Sequence, residues 1–140
     1  MSDGFLHKYF LNNSSKRLHK WNHYFDIYER HLSRFRGKNL VMLEIGVFGG
    51  GSLDMWRAYL GTEAKIIGID INPECKQYES DGIEIFIGSQ DDSTLIDKIL
   101  KKYPKVLDRP QLLAQCKKFH HHIFCLQFRR YPPQRCWMQQ

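Results

Sequence analysis

The chain has 140 residues, of which 42% are apolar and 14% aromatic. That supports one folded domain, is too short for two comfortable ones, and excludes a disordered chain. The formal net charge of +6 points towards nucleic acid only until it is located: residues 1–104 carry 14 basic and 14 acidic side chains, whereas residues 105–140 carry seven basic residues and Asp108 alone. All ten glycines lie at or before Gly88, and three of the four cysteines lie after Lys105. The composition changes character near Lys105, so three sections are expected: a helical segment at 1–38, an α/β unit at 39–104, and a basic tail at 105–140 that is atypical or disordered.

The opening residues MSDGFLHKYFLNNSSK scatter charge through a region where a secretory signal needs an apolar core. No run approaches the roughly 20 apolar residues that span a bilayer. The expectation is a cytoplasmic protein with no membrane partner, in which Cys75, Cys116, Cys125 and Cys136 are reduced thiols. From Lys20 onward Trp21, Tyr24, Phe25, Tyr28, Leu32 and Phe35 mark one helical face, with Lys20 and Glu29 off it. Asn39 to Ile45, Lys65 to Ile71 and Gly82 to Ile87 are short apolar runs of the kind buried on both faces of a parallel sheet. Between the first two, SLDMWRAYLG predicts a helix with Ser52 suited to its N-cap and Gly61 to its C-cap. After the third, Leu95, Ile96, Ile99 and Leu100 predict another, with Asp91, Asp92 or Ser93 at its start and Pro104 at its end. Strands alternating with helices imply right-handed crossovers, and ligands of such sheets bind at the carboxyl ends of the strands. Those ends read Glu44-Ile45-Gly46, Asp70-Ile71-Asn72 and Gly88-Ser89-Gln90-Asp91.

The first end opens into the glycine-rich turn of LEIGVFGGGSLDMW, which competes among three ligand classes. A P-loop needs a lysine before its Ser/Thr, and Gly51-Ser52 has none. A dinucleotide fingerprint is broken in both registers, because Phe48 or Asp54 stands where a glycine belongs. S-adenosylmethionine carries an ammonium and a sulfonium instead of phosphate. Glu44 suits that cationic end, Asp70 suits vicinal ribose hydroxyls, and Gln90 with Asp91 suits the exocyclic amine of adenine. Structural alternatives stand beside these: Glu44 as an acid at a strand end, Ser52 or Asp91 as a cap, Asp70 as a turn former before Asn72-Pro73.

LEIGVFGGGSLDMW, IIGIDINPEC and IEIFIGSQDD together resemble the first three motifs of class I S-adenosylmethionine-dependent methyltransferases. They are most similar to the macrolide-sugar O-methyltransferases and the cephalosporin-hydroxylase-like proteins. KWNHYFDIYERHL resembles the helix before the first strand in that subset, so the likeness covers about residues 5–104. The resemblance implies a Rossmann-like α/β fold and S-adenosylmethionine as cofactor, with methyl transfer to the oxygen of a small-molecule acceptor. Carried over by position, it puts Glu44, Gly46, Gly50, Gly51 and Ser52 around the methionine end, Asp70 on the ribose, and Gln90 and Asp91 on adenine.

The pattern departs after KKYPKV. The family continues with an apolar strand, an Asp-Asp-Gly-type turn and a histidine, residues that supply the base and, in several members, ligands for a divalent ion such as Mg2+. Here VLDRPQLLAQCKKFHHH follows, so neither catalytic residues nor metal ligands are evident. The expectation is a truncated domain whose chain leaves its ancestral reading frame or exon near Lys105, with an uncovered sheet prone to self-association. The alternative function is a non-catalytic adenosyl-binding or interaction module. His23, Tyr24 and Tyr28 are candidates for the acceptor side, with core packing favoured for the two tyrosines. Cys116, His120, His122, Cys125 and Cys136 match no paired zinc spacing. Lys117, Lys118, Arg129 and Arg130 with Phe128 and Tyr131 read as a solvated tail in preference to a nucleic-acid surface.

Overall fold

A computed structural model describes residues 4–104, 111–116 and 122–127, the last two stretches by backbone alone. Two helices come first, α1 (Phe5–Asn12) and α2 (Asn22–Leu32), the latter prolonged by a 3-10 turn at Ser33–Phe35. Then follow β1 (Val41–Ile45), α3 (Gly51–Leu60), β2 (Lys65–Asp70), a 3-10 turn at Pro73–Tyr78, β3 (Ile83–Ile87) and α4 (Ser93–Lys102). Two further strands, β4 (Gln111–Cys116) and β5 (His122–Gln127), complete one sheet in the order β3-β2-β1-β4-β5. β1 is parallel to both β2 and β4, β2 is parallel to β3, and β5 runs antiparallel to β4.

Alternation along the strands distributes the core to two faces. Met42, Ile66, Ile83 and Ile85 join Leu6, Phe25, Tyr28, Leu32, Leu53 and Trp56 beneath the first three helices. Leu43, Ile67 and Ile69 turn the other way and meet Ile99 of α4. Each such side chain contributes about 1.5–3 kcal/mol when fully buried, which is why these continuous apolar runs settle between two helical layers. The three strands and their helices therefore stand where the hydrophobic pattern puts them.

The structure corrects or sharpens the sequence pattern in four places. α3 is capped by Gly50, whose φ of 76° suits glycine, and Ser52 lies inside the helix with its hydroxyl turned elsewhere. At α4 the ambiguity resolves to Asp92, whose carboxylate accepts from the amides of Thr94 and Leu95. Lys20, off the apolar stripe by its chemistry, is buried, while Trp21 is 53% exposed. Residues past Lys105, which show no period, still supply two strands: β1 presents an unpaired edge on the side away from β2, and β4 fills it. β5 covers most of the run from Ile123 to Phe128 that composition marks as a strand.

Candidate functional site

β1 ends at Ile45, and the chain turns at once across the tip of β2. The amide of Gly46 donates to the carbonyl of Ile69 at 2.7 Å. Asp70 then receives the turn: its Oδ2 accepts from the amides of Val47 (2.8 Å) and Phe48 (3.2 Å), and its Oδ1 from that of Asn72 (2.9 Å). Burial alone would raise the carboxyl's pKa, but these three amides and the Cys75 thiol outweigh it and hold Asp70 below the ordinary carboxylate range. Phe48 needs that support, since its φ of 54° is a conformation a bulky residue seldom adopts. Its ring is half exposed, and Ile71 on the other side of Asp70 is 73% exposed.

Glu44, one residue before the strand's end, is fully buried. Its Oε1 accepts from the Ser52 hydroxyl at 2.7 Å and from the Lys20 ammonium at 3.1 Å, while its Oε2 has no hydrogen-bond partner among the described residues. Both members of the Lys20–Glu44 ion pair are shielded, with side-chain exposures of 3% and 0%. The Lys20 ammonium lies 6.0 Å from the ring centroid of Trp56, whose indole N–H is likewise buried and unpartnered. Ser52 and Trp56 stand one turn apart on α3, so both reach the same place from one helix face.

The glycines of the turn have an intramolecular reason. The amide of Gly51 donates to the carbonyl of Arg17 at 3.2 Å. A Cβ at Gly49 would stand 2.5 Å from the Arg17 Cβ, and one at Gly51 would stand 2.6 Å from the Arg17 carbonyl oxygen. Over Gly50 lies the Tyr78 ring, 2.6 Å from where a Cβ would be. The segment between α1 and α2 thus packs backbone to backbone on the turn, and Lys16 pins it to α3 through Asp54 at 2.9 Å.

The third tip is tied to the second by the amide of Gly88, which donates to the Asp70 carbonyl at 2.9 Å. Gln90 is half-buried there and Asp91 exposed, its amide resting on the Ser89 hydroxyl at 3.2 Å. The structure brings Glu44 and Ser52 into direct contact and joins Gly46 and Asp70 through the turn; Gln90 and Asp91 share the same edge one strand further out. Of the acceptor-side candidates, Tyr28 is core, packed edge-on against Trp56 at 5.1 Å. Tyr24 is half-buried and stacked on Tyr28 at 5.9 Å, while His23 is exposed with its ring 4.6 Å from Tyr24. His120, Cys136 and the basic residues Lys117, Lys118, Arg129 and Arg130 lie outside the described residues; Cys116, His122 and Cys125 fall in strands described by backbone alone. Sequence reasoning missed Lys20 and Trp56 as members of the Glu44 cluster and Arg17 as the partner of the glycines.

No known family model matches the chain. It is 30% identical over 107 residues to the 8-demethyl-8-(2-methoxy-alpha-L-rhamnosyl)-tetracenomycin-C 3'-O-methyltransferase of Streptomyces olivaceus, a match covering 71% of this chain and 27% of that protein. It is 34% identical over 83 residues to the mycinamicin VI 2''-O-methyltransferase of Micromonospora griseorubida, covering 54% of this chain and 20% of the relative. The chain therefore spans about a fifth to a quarter of the curated relatives it matches. Among solved structures it superposes on MycE methyltransferase from the mycinamycin biosynthetic pathway, in complex with Mg and S-adenosylhomocysteine, with a TM-score of 0.54 at 24% identity, covering 66% of this chain and 32% of that one. The chain thus carries the α/β fold of the class I S-adenosylmethionine-dependent methyltransferases, and over that part it is similar to the macrolide-sugar O-methyltransferases.

Proposed function

We propose that residues 39–104, with the helical segment 1–38 laid against them, form the S-adenosylmethionine-binding half of an O-methyltransferase whose acceptor is a small-molecule hydroxyl. One observation carries this reading: the row of acceptors along the strand tips. A buried carboxylate with an unpartnered oxygen (Glu44) comes first, then a carboxylate set in backbone amides (Asp70), then the Gln90-Asp91 turn. These fit, in order, an ammonium, a ribose hydroxyl and an adenine amine. A phosphate in the same place would face Glu44, and no lysine of the turn would meet it.

In this reading Glu44 receives the amino group of the cofactor, with Ser52 and Lys20 holding the carboxylate in place. Gly46, Gly50 and Gly51 let the turn pass close to β2 and to the 13–21 segment, which brings the walls of the pocket together. Three backbone amides and the Cys75 thiol already turn to Asp70, so it takes at most one ribose hydroxyl, in exchange for the weak thiol donor, and not two. Phe48 and Ile71 offer apolar surface on either side of it for the purine. Bound there, S-adenosylmethionine supplies a methyl group on a cationic sulfur, an electrophile for an acceptor oxygen. The chain's own part is to orient that group and shield it from water. Mg2+ does not fit the described residues, among which no three His, Cys, Asp or Glu side chains gather to hold a metal ion, and no step is assigned to it.

No helix among the described residues is long and apolar enough to cross a membrane; the proposal places the protein in the cytoplasm. Calorimetry on the full chain with S-adenosylmethionine, S-adenosylhomocysteine and NAD tests the reading: both adenosyl amino acids bind and NAD does not. Failure of both adenosyl ligands to bind overturns it. A second reading, a non-catalytic adenosyl-binding module, draws on the lack of a metal-holding group among the described residues. Binding without turnover on a panel of sugar-hydroxyl acceptors with Mg2+ selects it over the enzyme.

A further inference from the structure

The polar cluster beneath the glycine turn is built in a way the fold alone does not require. Burying a lysine and a glutamate against each other removes both from water, and an apolar pair of the same volume would fold as well or better. Here the pair is also incompletely satisfied. Glu44 Oε2 and the Trp56 indole N–H have no partner among the described residues, and the Lys20 ammonium, with three hydrogens to donate, gives one of them to Glu44 Oε1. Unfilled donors and an unfilled acceptor therefore share one buried spot, with opposite charges 3.1 Å apart.

We propose that Lys20 and Glu44 together form a receptor for the α-amino-acid zwitterion of the adenosyl ligand, Lys20 donating to its carboxylate and Glu44 Oε2 accepting from its ammonium. The inference rests on the adenosyl-binding reading above and adds to it a specificity residue from outside the α/β unit. A simple amine would leave Lys20 unmatched, and a simple carboxylate or a phosphate would face Glu44. A zwitterion alone among these satisfies both. The Trp56 N–H, on the ring beside the ammonium, is a second donor available to the carboxylate. Lys20 is held at this spot because its segment is fastened to the turn: Gly51 to the Arg17 carbonyl, Lys16 to Asp54, and the Lys16 ammonium 5.7 Å from the centroid of the Tyr78 ring.

The test is calorimetry on the full chain with two ligands that share base, ribose and sulfur: S-adenosylhomocysteine, and 5'-methylthioadenosine, which lacks the amino-acid end. Lys20→Met weakens S-adenosylhomocysteine about tenfold or more, the usual effect of leaving a charged hydrogen bond unmade in a buried site, and leaves methylthioadenosine within about twofold. Lys20→Arg, which keeps the cation, restores most of the loss. A Lys20→Met variant that weakens both ligands alike, or neither, overturns the proposal. Should that variant not fold, the wild-type chain decides by itself: decarboxylated S-adenosylhomocysteine binds about tenfold more weakly than the parent, and equal affinity overturns the assignment of Lys20. If the wild type binds none of these ligands, the adenosyl reading falls and this inference with it. If it binds them without distinguishing the amino-acid end, only the inference falls.

Discussion

Asp70→Asn isolates what the second strand tip does for the fold. Asparagine keeps one acceptor oxygen; turned towards the glycine turn, it preserves the bonds to Val47 and Phe48 and presents its NH2 to the Asn72 amide, which is exposed and can turn to water. Two charge-assisted bonds become neutral ones, a difference of roughly 1 kcal/mol each. Asp70 is only half-buried, so solvent screening reduces that sum by about half, and the mismatched amide at Asn72 adds a fraction back. The expected loss is about 1–2 kcal/mol, read as a shift in the urea midpoint with an unchanged slope. The pH dependence gives the sharper check. Burial raises the Asp70 pKa and the bonds from Asn72, Phe48, Val47 and Cys75 lower it by more, so the folded value lies below the unfolded one. A carboxylate of that kind stabilises in full above about pH 4 and loses its contribution as pH falls through the folded value. The gap between wild type and variant is therefore constant at neutral and mildly acidic pH and narrows below about pH 4. A gap as wide at pH 3 as at pH 7 would refute the view that the ionised carboxylate holds the turn.

Gly51→Ala brings a methyl within 2.6 Å of the Arg17 carbonyl oxygen and 2.9 Å of that of Lys16, both backbone. The expected cost is about 1–3 kcal/mol in urea unfolding, and a neutral result would show that the 13–21 segment is not seated there. Ser52→Ala removes the 2.7 Å donor to buried Glu44, for an expected loss of about 1–3 kcal/mol in urea unfolding with the helix signal in circular dichroism unchanged; a lowered helix signal would mean that Ser52, and not Gly50, caps α3. Burial and the neighbouring Glu29 carboxylate raise the Tyr59 pKa, against a smaller opposing effect of Arg36. Stability tied to this hydroxyl is thus complete below about pH 10 and is lost as pH rises above it, because the unfolded tyrosine ionises first. Tyr59→Phe costs about 1 kcal/mol at neutral pH through the lost bond to Glu29 and shows a shallower decline at alkaline pH; parallel declines would contradict the assignment.

What the sequence made legible is the part governed by local pattern. Ile66 to Ile69 could be nothing but a buried strand, and Leu53, Trp56 and Leu60 at helical spacing had to face it. The residues at the strand tips were legible for the same reason, since a tip follows wherever a strand ends. Partners distant in sequence were not. Lys20 lies 24 residues from Glu44 and just ahead of α2, so helical periodicity does not extend to it. Arg17 acts through its main chain, which carries no side-chain signal at all. Glu29 lies off the apolar stripe, yet one carboxylate oxygen accepts from the Leu6 amide at the start of α1 and the other from the Tyr59 hydroxyl, a tie among three helices that no spacing rule reports. β4 was illegible because its pairing is decided by the open edge of β1 and not by its own mixed composition.

The topology also places the two sides of the site unequally. In a doubly wound sheet the crevice opens where the strand order reverses, here between β2 and β4 on either side of β1. Every described residue assigned to the cofactor lies on the β1, β2 and β3 side or on the segment and helix that cover it. Across β1, the carboxyl end of parallel β4 reaches the same edge, and antiparallel β5 begins there, with Cys116 opposite His122. Because β5 runs back, its own carboxyl end falls on the far edge and cannot contribute to the crevice. Among the described residues, the second side of the crevice is met at the end of β4 and the start of β5, where this chain has Gln115, Cys116 and His122. The glycine turn, Glu44 and Asp70 are assembled without that stretch of edge. Under the proposed function, cofactor binding is therefore to be measured apart from catalysis, by calorimetry and not by turnover alone.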